Sequence, residues 1–99
     1  MTHFSEDTKK KIVELCKKNK VQELSLFGSR ARGDERPDSD FDLLVDFLPN
    51  SGITLFEYSR MQIDLEEIIG VKVDLVSKKG LKPYVRVSVL SDAQPIYEG

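Results

Sequence analysis

The sequence predicts an α/β domain in which helices cover one face of a small mixed β-sheet. Three short apolar runs with strand-like alternation, "VQELSLFG", "FDLLVDF" and "VKVDLVS", supply the sheet. Segments with helical periodicity and helix-capping residues lie around them. The resulting order is helix, strand, strand, helix, strand, helix. A chain of 99 residues fits one domain, so we expect residues 1–99 to form a single unit.

The first helix is predicted over "EDTKKKIVELCKKNK", residues 6–20. Ser5 is its expected N-cap, and the acidic residues that follow complement the positive end of the helix dipole. Ile12, Leu15 and Cys16 share one helix face, so Cys16 is expected to be a small core residue rather than a reactive thiol. It is the only cysteine, which excludes an internal disulfide and suits a reducing cytoplasm.

The second helix begins at a capping box formed by Thr54 and Glu57, and Gly70 is expected to end it. Apolar residues at spacings of three and four mark its buried face: Leu55, Tyr58, Met61, Leu65, Ile68 and Ile69.

The segment "LKPYVRVSVLSD" carries two conflicting signals. Pro83 near its start favours a helix, whereas the alternation of Val85, Val87 and Val89 fits a strand. We predict a helix, followed by a short edge strand in "AQPIYEG", where a proline is tolerated.

Charge and hydropathy exclude several classes of protein. Fifteen basic residues against 17 acidic ones give a net charge of -2, so direct nucleic-acid binding is not expected. The apolar runs are too short to span a membrane. The polar N-terminus has no apolar signal segment, so a cytoplasmic protein is expected.

Acidic residues stand on two of the predicted strands. Side chains alternate along a strand, so Phe41 and Val45 would face the core while Asp40 and Asp42 share the opposite face. Asp74 projects in the same way from the next strand. If the two strands are neighbours, three carboxylates meet in an all-oxygen donor set that suits Mg²⁺. A solvated strand edge is the alternative interpretation.

A Gly-Ser step follows the first strand, ten residues before the Asp-x-Asp pair. Gly28 allows a sharp turn and a close approach to a ligand, and Ser29 adds a hydroxyl to the free N–H groups that attract phosphate. Arg30 and Arg32 could neutralise phosphate charge or pair with neighbouring acidic residues. Phosphate-binding groups beside carboxylates are the components of metal-assisted phosphoryl transfer.

The stretch "GSRARGDERPDSDFD" resembles the Gly-Ser, ten residues, Asp-x-Asp signature of the DNA polymerase beta-like nucleotidyltransferase superfamily. Its flanks "SLFGSRARG" and "PDSDFDLLVDF" are most similar to the minimal nucleotidyltransferases of the MntA type. The resemblance covers nearly the whole chain and implies a polymerase-beta-like nucleotidyltransferase core.

The resemblance also implies a role for each signature residue. It implies that Gly28 and Ser29 hold the triphosphate of the nucleotide, and that ATP is bound at five positions in all: Gly28, Ser29, Arg30, Asp40 and Asp42. It implies that two Mg²⁺ ions and the catalysis depend on three aspartates: Asp40, Asp42 and Asp74. In this scheme Asp74 binds the catalytic metal near the acceptor hydroxyl, and Arg32 has a weaker claim to phosphate contact than Arg30.

The resemblance implies a partner as well. Minimal members of the superfamily pair with HEPN RNase toxins, and AMP transfer to a toxin tyrosine makes the nucleotidyltransferase an antitoxin. Two alternatives are a nucleotidyltransferase for small, aminoglycoside-like acceptors and a non-catalytic binding antitoxin. Phe56, Tyr58 and the valines of "YVRVSVL" exceed what a small core needs, so a homo- or hetero-oligomer surface is expected.

Overall fold

The computed structural model describes residues 4–28 and 40–98, and these residues confirm the predicted α/β fold class. The elements follow one another in this order: α1 (Glu6–Lys18), β1 (Val21–Phe27), β2 (Phe41–Phe47), α2 (Leu55–Ile69), β3 (Val73–Ser77), a 3₁₀ turn (Lys78–Gly80), α3 (Pro83–Asp92) and β4 (Gln94–Glu98). The ambiguous segment is therefore a helix with proline in its first turn, and the predicted C-terminal strand is present.

The four described strands form one mixed sheet in the order β3-β2-β1-β4. β1 pairs antiparallel with both β2 and β4, whereas β2 and β3 are parallel. A parallel pair needs a crossover connection, and α2 provides it. β4 lies at one edge of the sheet, where Pro95 is tolerated as expected.

The local signals at the helix ends are confirmed. The Ser5 hydroxyl accepts a hydrogen bond from the Thr8 N–H at 3.2 Å at the start of α1. Thr54 and Glu57 form the reciprocal capping box of α2. Gly70 ends α2 with a left-handed φ of 88°, a conformation that glycine adopts without steric cost.

The hydrophobic core lies between one face of the sheet and the helices α1 and α2. It comprises apolar residues from both helices and from three strands: Ile12, Leu15, Cys16, Val21, Leu24, Leu26, Phe41, Leu43, Val45, Met61, Leu65, Val73 and Leu75. Cys16 is fully buried, which confirms its predicted place in the core.

One residue of the predicted α2 stripe is exposed to solvent, whereas the other five are buried or partly buried. Leu55 is 81% exposed, whereas Leu65 is fully buried and Tyr58 is half-buried against the core. Leu55 is the first residue of the helix and lies about 80° around the helix axis from Leu65, at the margin of the apolar stripe. The spacing of three and four residues includes Leu55 in the stripe, but its side of the helix faces away from the sheet.

The predicted surplus of apolar side chains is partly confirmed. Phe56 and Val87 are 80% and 76% exposed. Tyr58 is not part of this surface, because its ring packs against Phe47 with a centroid distance of 6.1 Å. In the part of the chain that the structure describes, no helix is long and apolar enough to cross a bilayer.

The buried thiol makes stability depend on alkaline pH. Burial raises the pKa of Cys16 from 9.0 to about 12. The folded state therefore holds this proton more tightly than the unfolded chain. The contribution of the thiol to stability is fully present below the unfolded pKa and is lost as pH rises through the folded pKa. We expect the free energy of unfolding to fall by up to about 4 kcal/mol over this range on account of this group.

Urea unfolding of the wild type and of Cys16→Ala at several pH values between neutral and strongly alkaline tests this. The variant lacks the thiol, so the difference between the two curves isolates its contribution from that of tyrosines and lysines. Parallel pH profiles for the two proteins would contradict the expectation.

Candidate active site

Three neighbouring strands bring the candidate residues to one edge of the sheet. β2 and β3 begin at this edge, and β1 ends there. Phe27, the last residue of β1, lies opposite Asp42, and Asp42 lies opposite Asp74. Gly28 follows directly after β1. Strand register therefore places the glycine turn and two of the aspartates in one row across the sheet.

Asp42 and Asp74 project from the face opposite the core, because the residues beside them on each strand are buried. Phe41 and Leu43 flank Asp42 and are at most 5% exposed, and Val73 and Leu75 flank Asp74 in the same way. Asp74 is exposed and Asp42 is half-buried. Two ionised carboxylates at adjacent strand positions repel each other, and a positive charge between them relieves the repulsion.

Asp40 is placed less tightly than the other two aspartates. It is exposed and precedes β2, so it lies just outside the paired residues of that strand. Among residues 4–28 and 40–98, no group of three or more His, Cys, Asp or Glu side chains forms a ready-made metal cage. Mg²⁺ needs only one or two carboxylates, with water and substrate phosphates as its other ligands. The all-oxygen set at this edge therefore fits Mg²⁺.

Gly28 is required by its conformation and by its neighbour. Its φ is +78°, in the left-handed region that favours glycine. A methyl group at this position would overlap Oδ2 of Asp42 and lie 3.1 Å from its Cγ. The backbone at Gly28 thus passes directly beside the Asp42 carboxylate. Ser29, Arg30 and Arg32, the other predicted phosphate-binding residues, lie outside the described residues.

Tyr58 and Glu66 of α2 are further residues near the site, and the sequence did not connect either of them with the active site. The Glu66 carboxylate accepts a hydrogen bond from the Val73 N–H at 3.0 Å, and the Tyr58 hydroxyl donates to the Leu75 carbonyl. Burial, and secondarily the charge of Asp74, raises the pKa of Tyr58. Its hydroxyl therefore stays protonated and able to donate. A buried tyrosine hydroxyl needs a hydrogen-bond partner, so a tyrosine inside an apolar helix stripe is a sequence signal of such a contact. The signal is weak, because it does not identify the partner.

These features define the class of protein: a small α/β domain with a glycine turn and paired carboxylates at the strand ends. The chain belongs to the nucleotidyltransferase domain family, whose sequence model matches residues 9–96. This match confirms the family and the enzyme class that the sequence predicts.

Two relatives from archaea are similar over most of their length. "Putative protein adenylyltransferase MJ1379" of Methanocaldococcus jannaschii is 43% identical over 76 residues, which cover 76% of this chain and 76% of the relative. "Protein adenylyltransferase MntA" of Thermococcus cleftensis is 38% identical over 81 residues, which cover 80% of this chain and 78% of the relative.

Solved structures share the fold. One described as a "putative minimal nucleotidyltransferase" is 39% identical with a TM-score of 0.77, over 96% of this chain and 99% of that one. A toxin–antitoxin structure with AMP-PNP has a TM-score of 0.75 at 22% identity, over 92% of this chain and 73% of that one. A structure of a tri-AMPylated Shewanella oneidensis HEPN toxin in complex with an MNT antitoxin has a TM-score of 0.67 at 20% identity. The match covers 93% of this chain and 71% of that one.

The close approach at Gly28 predicts an asymmetry between two glycine substitutions. Gly28→Ala and Gly52→Ala both place a side chain at a left-handed φ, +78° and +70°, which costs about 1–2 kcal/mol each. Only Gly28→Ala also meets the Asp42 carboxylate, since nothing lies within 4 Å of a methyl group at Gly52. We expect Gly28→Ala to lose at least about 1 kcal/mol more stability than Gly52→Ala.

Urea denaturation of both variants and of the wild type measures the difference. Equal losses would show that the Asp42 carboxylate moves aside freely and that the turn is not constrained by it.

Proposed function

We propose that this protein is a Mg²⁺-dependent nucleotidyltransferase that transfers AMP from ATP to a protein hydroxyl and acts as the antitoxin of a HEPN-type RNase toxin. The observation that carries the proposal is the register that sets Asp42 beside Asp74, next to the Gly28 turn. Relatives named protein adenylyltransferase support the reaction. Toxin–antitoxin complexes with the same fold support the biological role.

On the donor side, we assign ATP binding to the turn after β1 and to the aspartates. The backbone at Gly28, with Ser29 and Arg30, would hold the triphosphate through N–H groups, a hydroxyl and a guanidinium. Asp40 and Asp42 would hold two Mg²⁺ ions against that triphosphate. When bound, Mg²⁺ neutralises phosphate charge and orients the reacting groups.

On the acceptor side, we assign Asp74. Its side chain is exposed and stands one strand away from Asp42, so it can face a hydroxyl brought by a second molecule. The acceptor oxygen attacks the α-phosphorus of ATP, a new phosphorus–oxygen bond forms, and pyrophosphate leaves. An acceptor tyrosine on a HEPN toxin fits this scheme, because Asp74 is exposed at the edge of the sheet where β2 and β3 begin.

The apolar side chains outside the core suit a protein partner. Phe56 and Val87 lie on two different helices and are almost as exposed as in an extended chain. Exposed apolar side chains of this size commonly take part in contacts between proteins. They support a homo- or hetero-oligomer in which the toxin, rather than a small molecule, presents the acceptor.

Incubation with ATP, Mg²⁺ and the HEPN protein encoded beside this gene should add the mass of one or more AMP units to the toxin. Asp42→Asn and Asp74→Asn should each lower the transfer rate by at least about 100-fold, because each leaves the site without one carboxylate. Asp7→Asn is the matched control, since Asp7 is an exposed acid on α1. Chelation of divalent cations should stop the reaction.

Intact-mass spectrometry of the toxin reads out the experiment. An unmodified toxin, with wild type and Asp42→Asn alike, would refute the proposal. Neutralisation of the toxin by a variant that lacks all three aspartates would favour a binding antitoxin. Adenylylation of a small hydroxylated compound in the absence of toxin would favour the small-molecule alternative.

A further inference from the structure

Among the described strands, β3 lies at one edge of the sheet, and one row of its backbone groups has no described strand beside it. Its neighbour is β2, on one side only. The Phe41 N–H donates to the Lys72 carbonyl at 2.9 Å, so the main chain at Lys72 faces β2. Main-chain groups point alternately to either side of a strand, so those of Val73 and Leu75 face the open edge. Open-edge groups leave a strand free to fray unless something covers them.

Helix α2 supplies partners for both of these open-edge residues. The Glu66 carboxylate accepts a hydrogen bond from the Val73 N–H at 3.0 Å. The Tyr58 hydroxyl donates a hydrogen bond to the Leu75 carbonyl. Val73 and Leu75 are the residues immediately before and after Asp74. The two contacts therefore hold the backbone on both sides of a single aspartate.

Tyr58 belongs to the helix face that packs on the sheet, and Glu66 lies at the margin of that face. Met61 and Leu65 lie between them along α2 and are at most 1% exposed. Tyr58 is about 20° and Glu66 about 100° around the helix axis from Leu65. Packing of this face holds α2 against the sheet, so the hydroxyl and the carboxylate reach β3 from a rigid support. Their geometry is thus set by the core and not by a flexible surface.

We infer that Tyr58 and Glu66 are positioning residues for Asp74, which they hold in register with Asp42 by closing the open edge of β3. The inference rests on the proposed function in one respect, the role of the Asp74 carboxylate in AMP transfer. Neither positioning residue touches the reacting groups. Each acts through the backbone of β3. The donor side does not depend on them, because Asp42 lies on β2 and Gly28 directly after β1.

This arrangement predicts which kinetic constant changes. Tyr58→Phe keeps the ring that packs on Phe47 and removes only the hydroxyl, and Glu66→Ala removes the carboxylate. With ATP, Mg²⁺ and the HEPN partner, each variant should lower kcat about five- to tenfold, as expected for one lost hydrogen bond, and leave the KM for ATP within about twofold. Glu66→Gln keeps an oxygen acceptor and should restore most of the rate.

A second readout needs neither ATP nor partner. Amide hydrogen exchange by NMR, in the protein alone, should be about five- to tenfold faster in β3 of Tyr58→Phe and Glu66→Ala than in the wild type, because the strand edge opens more often. Exchange in β1 should not change. Tyr84→Phe is the matched control, since Tyr84 is 79% exposed on α3 and its hydroxyl lies outside this contact pair.

Three outcomes distinguish the positioning role of Tyr58 and Glu66 from the assigned role of Asp74. Slower AMP transfer with an unchanged KM, faster exchange confined to β3, and rescue by Glu66→Gln support the positioning role. Wild-type kcat and β3 exchange in Tyr58→Phe and Glu66→Ala, beside an inactive Asp74→Asn, overturn this inference alone. Full activity of Asp74→Asn overturns the assigned role of Asp74 and the positioning role with it.

Discussion

The parallel pairing of β2 with β3 is the constraint on which the rest of the structure depends. Asp42 and Asp74 meet only because these strands are neighbours in one particular register. The register follows from burial, since a slip of one residue would place Asp74 in the core and Leu75 on the opposite face. Burying a charged carboxylate without a partner costs several kcal/mol, so the apolar residues of β3 exclude the shifted alternative. The requirement that builds the core thus also aligns the site.

Helix α2 makes this pairing possible and then refines it. It is the crossover that a parallel pair requires, and it buries Met61 and Leu65 against the sheet. Full burial of such a side chain stabilises by roughly 1.5–3 kcal/mol, whereas a single hydrogen bond contributes about 1 kcal/mol. Apolar packing therefore contributes most of the free energy that holds α2 against the sheet. The contacts of Tyr58 and Glu66 with β3 add less energy and hold the outer edge of a strand whose register the core has already set.

Much of the fold could be predicted from local signals, because those signals act over a few residues. The Ser5 cap, the capping box at Thr54 and the C-terminal glycine of α2 were all read correctly from the sequence. Alternation on β2 gave the correct core face, and Pro83 correctly favoured a helix over the strand that the valines suggested. The predicted burial of Leu55 is wrong, because a rule based on spacing alone also counts residues at the margin of a helix face as buried.

For the candidate site, three features follow from the sequence alone: the residue types, their spacing, and the face of each strand from which Asp42 and Asp74 project. The sequence does not show whether the two strands are neighbours, since strand order depends on contacts between residues that are distant in the chain. Only the tertiary structure placed Asp42 opposite Asp74, brought the Gly28 backbone against the Asp42 carboxylate, and set Tyr58 and Glu66 on the edge of β3. Local propensity decides what each segment becomes, and the burial of a shared core decides which segments meet.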